Sequence, residues 1–314
     1  MVRFRSARST LAAVLALSCP AAIAHAQATP APAAAPGVTA TIDNAGAEPR
    51  RELRYTPAPG DTQRFAFTVH NTIRRETADK AMPEMVWPAM TVTTRSTITD
   101  TSAGRIAADM TFDSFDIGEG PDANLAVALS EMLRPAIGVG GSMKFSDRGD
   151  DLGFTLSADA QALGPGAALV TAIANSLRGV IAMTPAEAVG AGAQWTTVES
   201  RPDDQGVLIV QKIRHTVRSL DGNRYAIDLV LEQTAEPQDL PAQPTMPGAT
   251  MRLESLKGQG TATVEGTFGA LLPDAVTLNL NTTTVITYRQ NDADQTLIRT
   301  NITQAEGKTL PVSE

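Results

Sequence analysis

Apolar and polar residues alternate along most of this chain. From Arg64 to Ile73, Phe65, Phe67, Val69 and Ile73 share one face while Thr68, His70 and Thr72 share the other, the signature of a half-buried strand. Thr91 to Thr99 repeats it with Val92 and Ile98, and after a turn over Asp100 to Gly104 the returning strand carries Ile106, Ala108, Met110 and Phe112. Two short strands follow around Lys144 to Ser157. Later, Val207 to Val217 precedes Asp221-Gly222-Asn223, where glycine supplies the positive φ of a tight hairpin, and then Tyr225, Ile227, Leu229 and Leu231 alternate. Further strands are marked by Ala262, Val264 and Phe268, by Val276, Leu278 and Leu280 running on through Thr282 to Tyr288, and by Thr296 to Thr303. The period predicts roughly ten to twelve strands.

Two segments have helical spacing instead. Asp122 caps a stretch whose stripe is Leu125, Leu129, Met132, Leu133 and Ile137, ended by Gly138 and Gly140. The second, from about Ala167 to Ile181, carries Leu169, Ile173, Leu177, Val180 and Ile181 on one face. Strand and helix do not alternate often enough for a parallel sheet. The expected fold class is therefore α+β and β-rich: a large curved antiparallel sheet, half-barrel-like, with two amphipathic helices packed on it.

The N-terminus changes the setting. Arg3, Arg5 and Arg8, the apolar run Leu11 to Leu17, and Ala24-His25-Ala26 form an export signal with a small-residue cleavage site, so residues 1–26 read as a signal peptide and the protein as periplasmic or secreted. Lipoprotein anchoring through Cys19 is the poorer reading, because Ala16 stands where a lipobox carries a large aliphatic residue. Residues 27–50, rich in Ala and Pro, read as a disordered leader, residues 51–306 as a single β-rich domain, and residues 307–314 as a C-terminal tail. No later stretch approaches the roughly 20 apolar residues of a membrane helix.

Charge and side-chain inventory narrow the chemistry. Lys and Arg number 26 against 34 Asp and Glu, a net charge of −8, and cleavage after Ala26 removes three arginines and makes the chain more acidic still. No basic run exceeds Arg50-Arg51 or Arg74-Arg75, which disfavours nucleic acid as a partner. The same cleavage removes Cys19, the one cysteine, and His25. Of the two remaining histidines, His70 falls on a polar strand face, whereas His215 shares parity with Ile209, Ile213 and Val217 and points into the core. A hydrolase built on His215 is a third-ranked function, since no nucleophile motif accompanies it: Gly140-Gly141-Ser142-Met143-Lys144 matches neither a nucleophile elbow nor a Ser-x-x-Lys pair. The acidic groups Asp113, Asp116, Glu119 and Asp122, and Asp147, Asp150 and Asp151, lack EF-hand spacing and read as caps and turns. Glycine-rich phosphate cradles are missing. No catalytic, cofactor-binding or metal-binding residue is assigned, and no cofactor is expected.

The stretch Met82-Pro83-Glu84-Met85-Val86-Trp87-Pro88-Ala89-Met90 sets three methionines and a tryptophan between prolines, in what should be a loop. It reads either as a lid or contact site over an apolar groove, or as a plug folded into the core. With the helix faces it supplies the candidate ligand-binding set: Met85, Trp87 and Met90 from the loop, Leu129 and Leu133 from the first helix, Ile173 and Leu177 from the second.

Pro185-Ala186-Glu187-Ala188-Val189-Gly190-Ala191-Gly192-Ala193-Gln194-Trp195 resembles a Pro-x-x-x-Val-Gly-x-Gly-x-x-Trp signature of exported bacterial proteins of unknown function. Glu52-Leu53-Arg54-Tyr55 with Gly60-Asp61 is similar to that family's opening strand and turn, and Gly258-x-Gly260 with Gly269 to Pro273 to its late hairpin. The helices set within a long meander also resemble, in topology alone, the half-barrels of lipoprotein localisation factors. That resemblance implies handling of lipid or lipoprotein, with no residue to carry over. The leading expectation is a non-enzymatic periplasmic protein that binds or carries an apolar ligand. The alternative is an envelope interaction or structural module that binds a partner protein through its sheet edge or the Met-Trp loop.

Overall fold

The computed structural model describes residues 38–77, 80–157, 163–164, 166–202, 207–241, 250–290 and 293–312. The export signal, with Cys19 and His25, lies outside the described residues, as does the leader as far as residue 37.

In chain order the strands are β1 (Thr39–Asn44), β2 (Thr62–Thr77), β3 (Lys80–Ala81), β4 (Met85–Val86), β5 (Met90–Asp100), β6 (Arg105–Ile117), β7 (Gly140–Ser146), β8 (Asp151–Leu156), β9 (Gln194–Pro202), β10 (Leu208–Asp221), β11 (Arg224–Ala235), β12 (Gln238–Leu240), β13 (Thr250–Thr267), β14 (Ala275–Gln290) and β15 (Ala293–Leu310). Helix α1 (Ala123–Leu133) runs into a 3-10 turn, Arg134–Ala136, and α2 is Gly166–Arg178. All the described strands form one open sheet in the order β1-β9-β10-β11-β13-β14-β15-β2-β5-β6-β7-β8, with β3 and β4 beside β2 and β12 beside β13. Every pairing is antiparallel. The protein is thus strand-rich, with one large antiparallel sheet and two helices.

Two meanders make the sheet, and the last strand joins them. β15 pairs with β2 from Leu310↔Arg64 to Leu297↔Thr77, so the end of the chain closes against its first long strand. Between β8 at one end of the sheet and β9 near the other, the chain crosses the sheet and carries α2 on the way. This crossing explains why α2 is amphipathic: Val170, Ile173, Ala174 and Leu177 are buried against the sheet.

Antiparallel partners share a face, so one row of the inner face can be read across the register as Ile42, Trp195, His215, Leu229, Ala262, Leu278, Ala305 and Val69. The main core lies over this row and includes Phe65, Phe67, Phe112, Phe145, Leu133, Leu177 and Trp195. A void under the end of α2, bounded by Phe65, Met110, Met143, Leu177 and Ile181, measures about 10 Å³.

Several sequence expectations need correction. Residues 27–50 are not leader throughout, because β1 pairs with β9 and places Ile42 opposite Trp195. The strand at the C-terminus runs on to Leu310, so only residues beyond it remain as tail. Glu52 to Tyr55 is no strand; it is a strap that buries Leu53 and Tyr55, with the Tyr55 ring edge-on to Tyr225 of β11 and the isolated bridge Arg51↔Val189 beside it. Helix α2 stops at Arg178, short of the expected Ile181, while Val180 and Ile181 stay buried in the following turn. In β5 a bulge between Thr93 and Thr94 breaks the alternation, so Thr93, Thr94 and Ser96 are all buried.

The glycine-rich signature acts as scaffolding. Gly190 N–H donates to Ala45 O at 2.9 Å and Ala47 N–H to Ala191 O at 2.9 Å; a Cβ on Gly190 would stand 1.8 Å from the Ala47 oxygen. Only glycine lets the two backbones meet there. Trp195 is fully buried, and its indole N–H donates to Met183 O at 3.0 Å.

Candidate functional site

The Met-Trp segment is less irregular than its prolines suggest. Met85 and Val86 pair with Ile73 and Thr72, and Trp87 N–H donates to Asn71 O at 2.9 Å, so the segment returns along β2 as a broken ribbon rather than a free loop. The pairing fits Pro83 and Pro88 outside the two-residue strand, where no ladder donor is needed.

Against this ribbon stands the first turn of α1. The Asp122 carboxylate accepts from Asn124 N–H at 3.0 Å and Leu125 N–H at 3.2 Å, which fixes where the helix begins. Between ribbon and helix lies a cleft of about 360 Å³, lined by Pro83, Met85, Val86, Pro121, Leu125 and Ala128, with Arg75, Glu84, Asp122 and Asn124 at its polar edge. That volume sits at the lower end of the roughly 300–1,000 Å³ usual for small-molecule sites.

The seven residues expected to line a ligand site divide sharply. Met85 lines the cleft. Trp87 is half-buried behind it on the same ribbon, its indole N–H buried without a partner, and Met90 packs on the main core. Leu129, Leu133, Ile173 and Leu177 are buried at 1%, 0%, 6% and 3% exposure and do not line this cleft. The sequence reading missed Leu125 and Ala128 as cleft residues. Their helical spacing relative to Asp122 was visible, but nothing in the sequence showed that the first turn faces the ribbon.

No family model matches the chain, and no curated protein matches it. Among solved structures it is similar to OpdL of Pseudomonas aeruginosa, at 8% identity over 80% of this chain and 99% of that one, with a TM-score of 0.20. The toluene transporter TodX of P. putida follows at 9% identity, 83% and 94% coverage and 0.18. OccAB4 of Acinetobacter baumannii stands at 9%, 80%, 99% and 0.18. Likeness at that level carries no argument about fold or function.

His215 is 2% exposed and stacks on Trp195, with ring centroids 4.9 Å apart and planes 8° from parallel. Its Nε2 shares a 3.0 Å hydrogen bond with Thr197 Oγ1, while Nδ1 is buried without a partner. Burial lowers its pKa from 6.5 to about 3, which keeps the ring neutral. His70 is exposed on the opposite face. Most of the acidic groups have partners within the fold. Asp113 binds Arg64 and Arg95, Asp116 accepts from Ser114, Asp147 pairs with Arg54, Asp150 accepts from Ser146, and Asp151 pairs with Arg178. No described helix is long and apolar enough to cross a membrane.

Proposed function

We propose that this is an exported, non-enzymatic protein that binds or carries an apolar ligand, with its sheet curved in the manner of a half-barrel. The observation that carries the reading is the cleft between the β3–β4 ribbon and α1, whose walls are methionine, proline, valine, leucine and alanine side chains. On this reading the ligand site is that cleft rather than the helix–sheet interface, where Leu129, Leu133, Ile173 and Leu177 are buried. The neutral, enclosed His215 favours a structural role over a hydrolytic one. Organic extraction of the purified protein followed by mass spectrometry, with titration by a fluorescent fatty acid, tests the proposal. A stoichiometric lipid lost in Ala128→Trp supports it; an empty extract with no titratable binding overturns it.

A second reading, an envelope interaction module, draws on the two free sheet edges, β1 and β8. Periplasmic crosslinking at exposed Thr39 and Leu152 separates the two. A single partner lost on shortening β1 favours the module, and unchanged crosslinks count against it.

A further inference from the structure

A groove of about 540 Å³ crosses β11, β13, β14 and β15 and shares no residue with the cleft beside α1. On β11, Val230 stands between the buried Leu229 and Leu231 and is 45% exposed, so its side chain points away from the core. Its register partners continue the row as Thr261, Asn279 and Gln304. Two positions further along β11 a second row on the same face runs Glu232, Gln259, Asn281 and Ile302. These rows form the two banks of the groove, about 7 Å apart, and the spacing of four strands makes it about 14 Å long.

The banks carry one kind of chemistry. Among the described residues, the carboxamides of Gln259, Asn279, Asn281 and Gln304 and the Thr261 hydroxyl are exposed and make no hydrogen bond within the fold. On the inner face, by contrast, Gln233 donates to Gln211 at 2.8 Å and accepts from Thr282. Water satisfies the outer groups in the free protein, so a ligand that displaces it must both donate and accept, as a carboxamide does. The backbone under the groove is consumed by ladders on both sides of every strand, which leaves recognition to these side chains. Among the described lining residues only Glu232 is charged, and Lys212 of β10 faces it, so the groove holds no surplus cation for an anionic ligand. Val230 and Ile302 add aliphatic surface at its two ends. A sugar chain matches this surface: it is neutral, dense in hydroxyls that donate and accept, and has C–H faces that pack on aliphatic side chains. An extended peptide is the poorer match, because its backbone groups are best met by a free sheet edge.

We propose that this groove binds a neutral linear oligosaccharide, laid across the strands with its hydroxyls against the two banks of amides. The site is separate from the apolar cleft, and the proposal does not depend on that reading. Calorimetric titration of the full chain with cellohexaose, chitohexaose, hexagalacturonate and an acetylated, amidated Gly-Ser hexapeptide tests it. One or both of the neutral saccharides should bind with a Kd of about 1 mM or tighter, and hexagalacturonate and the peptide at least about tenfold more weakly. Asn279→Ala combined with Asn281→Ala removes two exposed amides and should weaken the saccharide about tenfold. Ala128→Trp, in the cleft beside α1, should leave saccharide binding unchanged.

Failure of both neutral saccharides to bind overturns the proposal and leaves the apolar cleft untouched. Hexagalacturonate or peptide binding as tight as that of the saccharide overturns it as well. So does saccharide binding that the paired asparagine variant retains, or that Ala128→Trp abolishes. The comparison of the four ligands needs no variant, so a variant that fails to fold does not shelter the proposal.

Discussion

The same strands cross two unlike halves of the molecule. Near the helices the inner face runs Val69, Ala305, Leu278, Ala262, Leu229, His215 and Trp195, enclosed beneath α2 and the Leu53–Tyr55 strap. Six residues further along β2 the corresponding row runs Arg75, Arg299, Thr284, Leu256 and Ala235, and its apolar packing shrinks to a small cluster of Val207, Leu253 and Leu256 with four half-buried neighbours. Between them lies a polar row in which Gln233 binds Gln211 and Thr282. β13 and β15 extend through both halves at 18 residues each, so the backbone ladder continues past the point where helices cover it. The ladder sets how far the strands reach, and the helix cover sets where a core can form. The cleft sits at the boundary, where one inner face passes from enclosed to open.

Removing the centre of the covered half should have the largest effect. Trp195 is fully buried, hydrogen-bonded to Met183 O and stacked on His215, so Trp195→Ala should cost about 5 kcal/mol, read as a lowered denaturant midpoint at unchanged slope. A loss under about 1 kcal/mol would mean that stability does not reside in the covered half.

Acid should attack the same half. The folded pKa of His215, about 3, lies below the unfolded value near 6.5. Above pH 6.5 the ring is neutral in both states and adds no slope. As the pH falls through 6.5 the unfolded chain takes up a proton that the folded chain refuses, so stability drops by about 1.4 kcal/mol per pH unit, and the loss levels off near pH 3. At pH 4 the difference amounts to about 3 kcal/mol. Carboxylates titrate in the same range, so the measurement is the difference between the unmodified protein and His215→Gln in urea unfolding at pH 7 and pH 4. Equal pH dependence in the two would show that His215 is protonated in the fold.

How much of this contrast the sequence discloses follows from what alternation can encode. Period two placed Phe65, Phe67, Ile227 and Leu229 on the buried face and His70 on the other, and parity sent His215 inward, because a side chain's face depends only on its own strand. Which strands lie side by side is not local information. β15 beside β2, and with it Arg299 opposite Arg75, joins residues more than 200 positions apart, and no spacing predicts it. β1 went unseen because Thr39 to Asn44 is short and mostly exposed, with Ile42 alone half-buried on the core, so it is held chiefly by its ladder to β9. The Met-Trp segment was singled out for its composition, but its pairing with β2 depends on two residues, too few for a period to register.

The uncovered half should answer more weakly. Leu256→Ala removes a buried side chain from a cluster that, among the described residues, has three buried members, and should cost about 2 kcal/mol, less than half the Trp195→Ala loss. Differential scanning calorimetry of the two variants would show the ordering, and a Leu256 effect equal to that of Trp195 would mean that the two halves melt as one evenly packed unit.

The smallest effect carries the opposite sign. Arg75→Gln removes one of two like charges facing each other across β2 and β15, and without ligand it should stabilise the fold by about 0.2–0.5 kcal/mol, since opposed like charges cost that much on a sheet. If Arg75→Gln instead destabilises the protein by more than about 1 kcal/mol, Arg75 is a structural part of its half of the sheet, and the contrast between the two halves fails at its boundary.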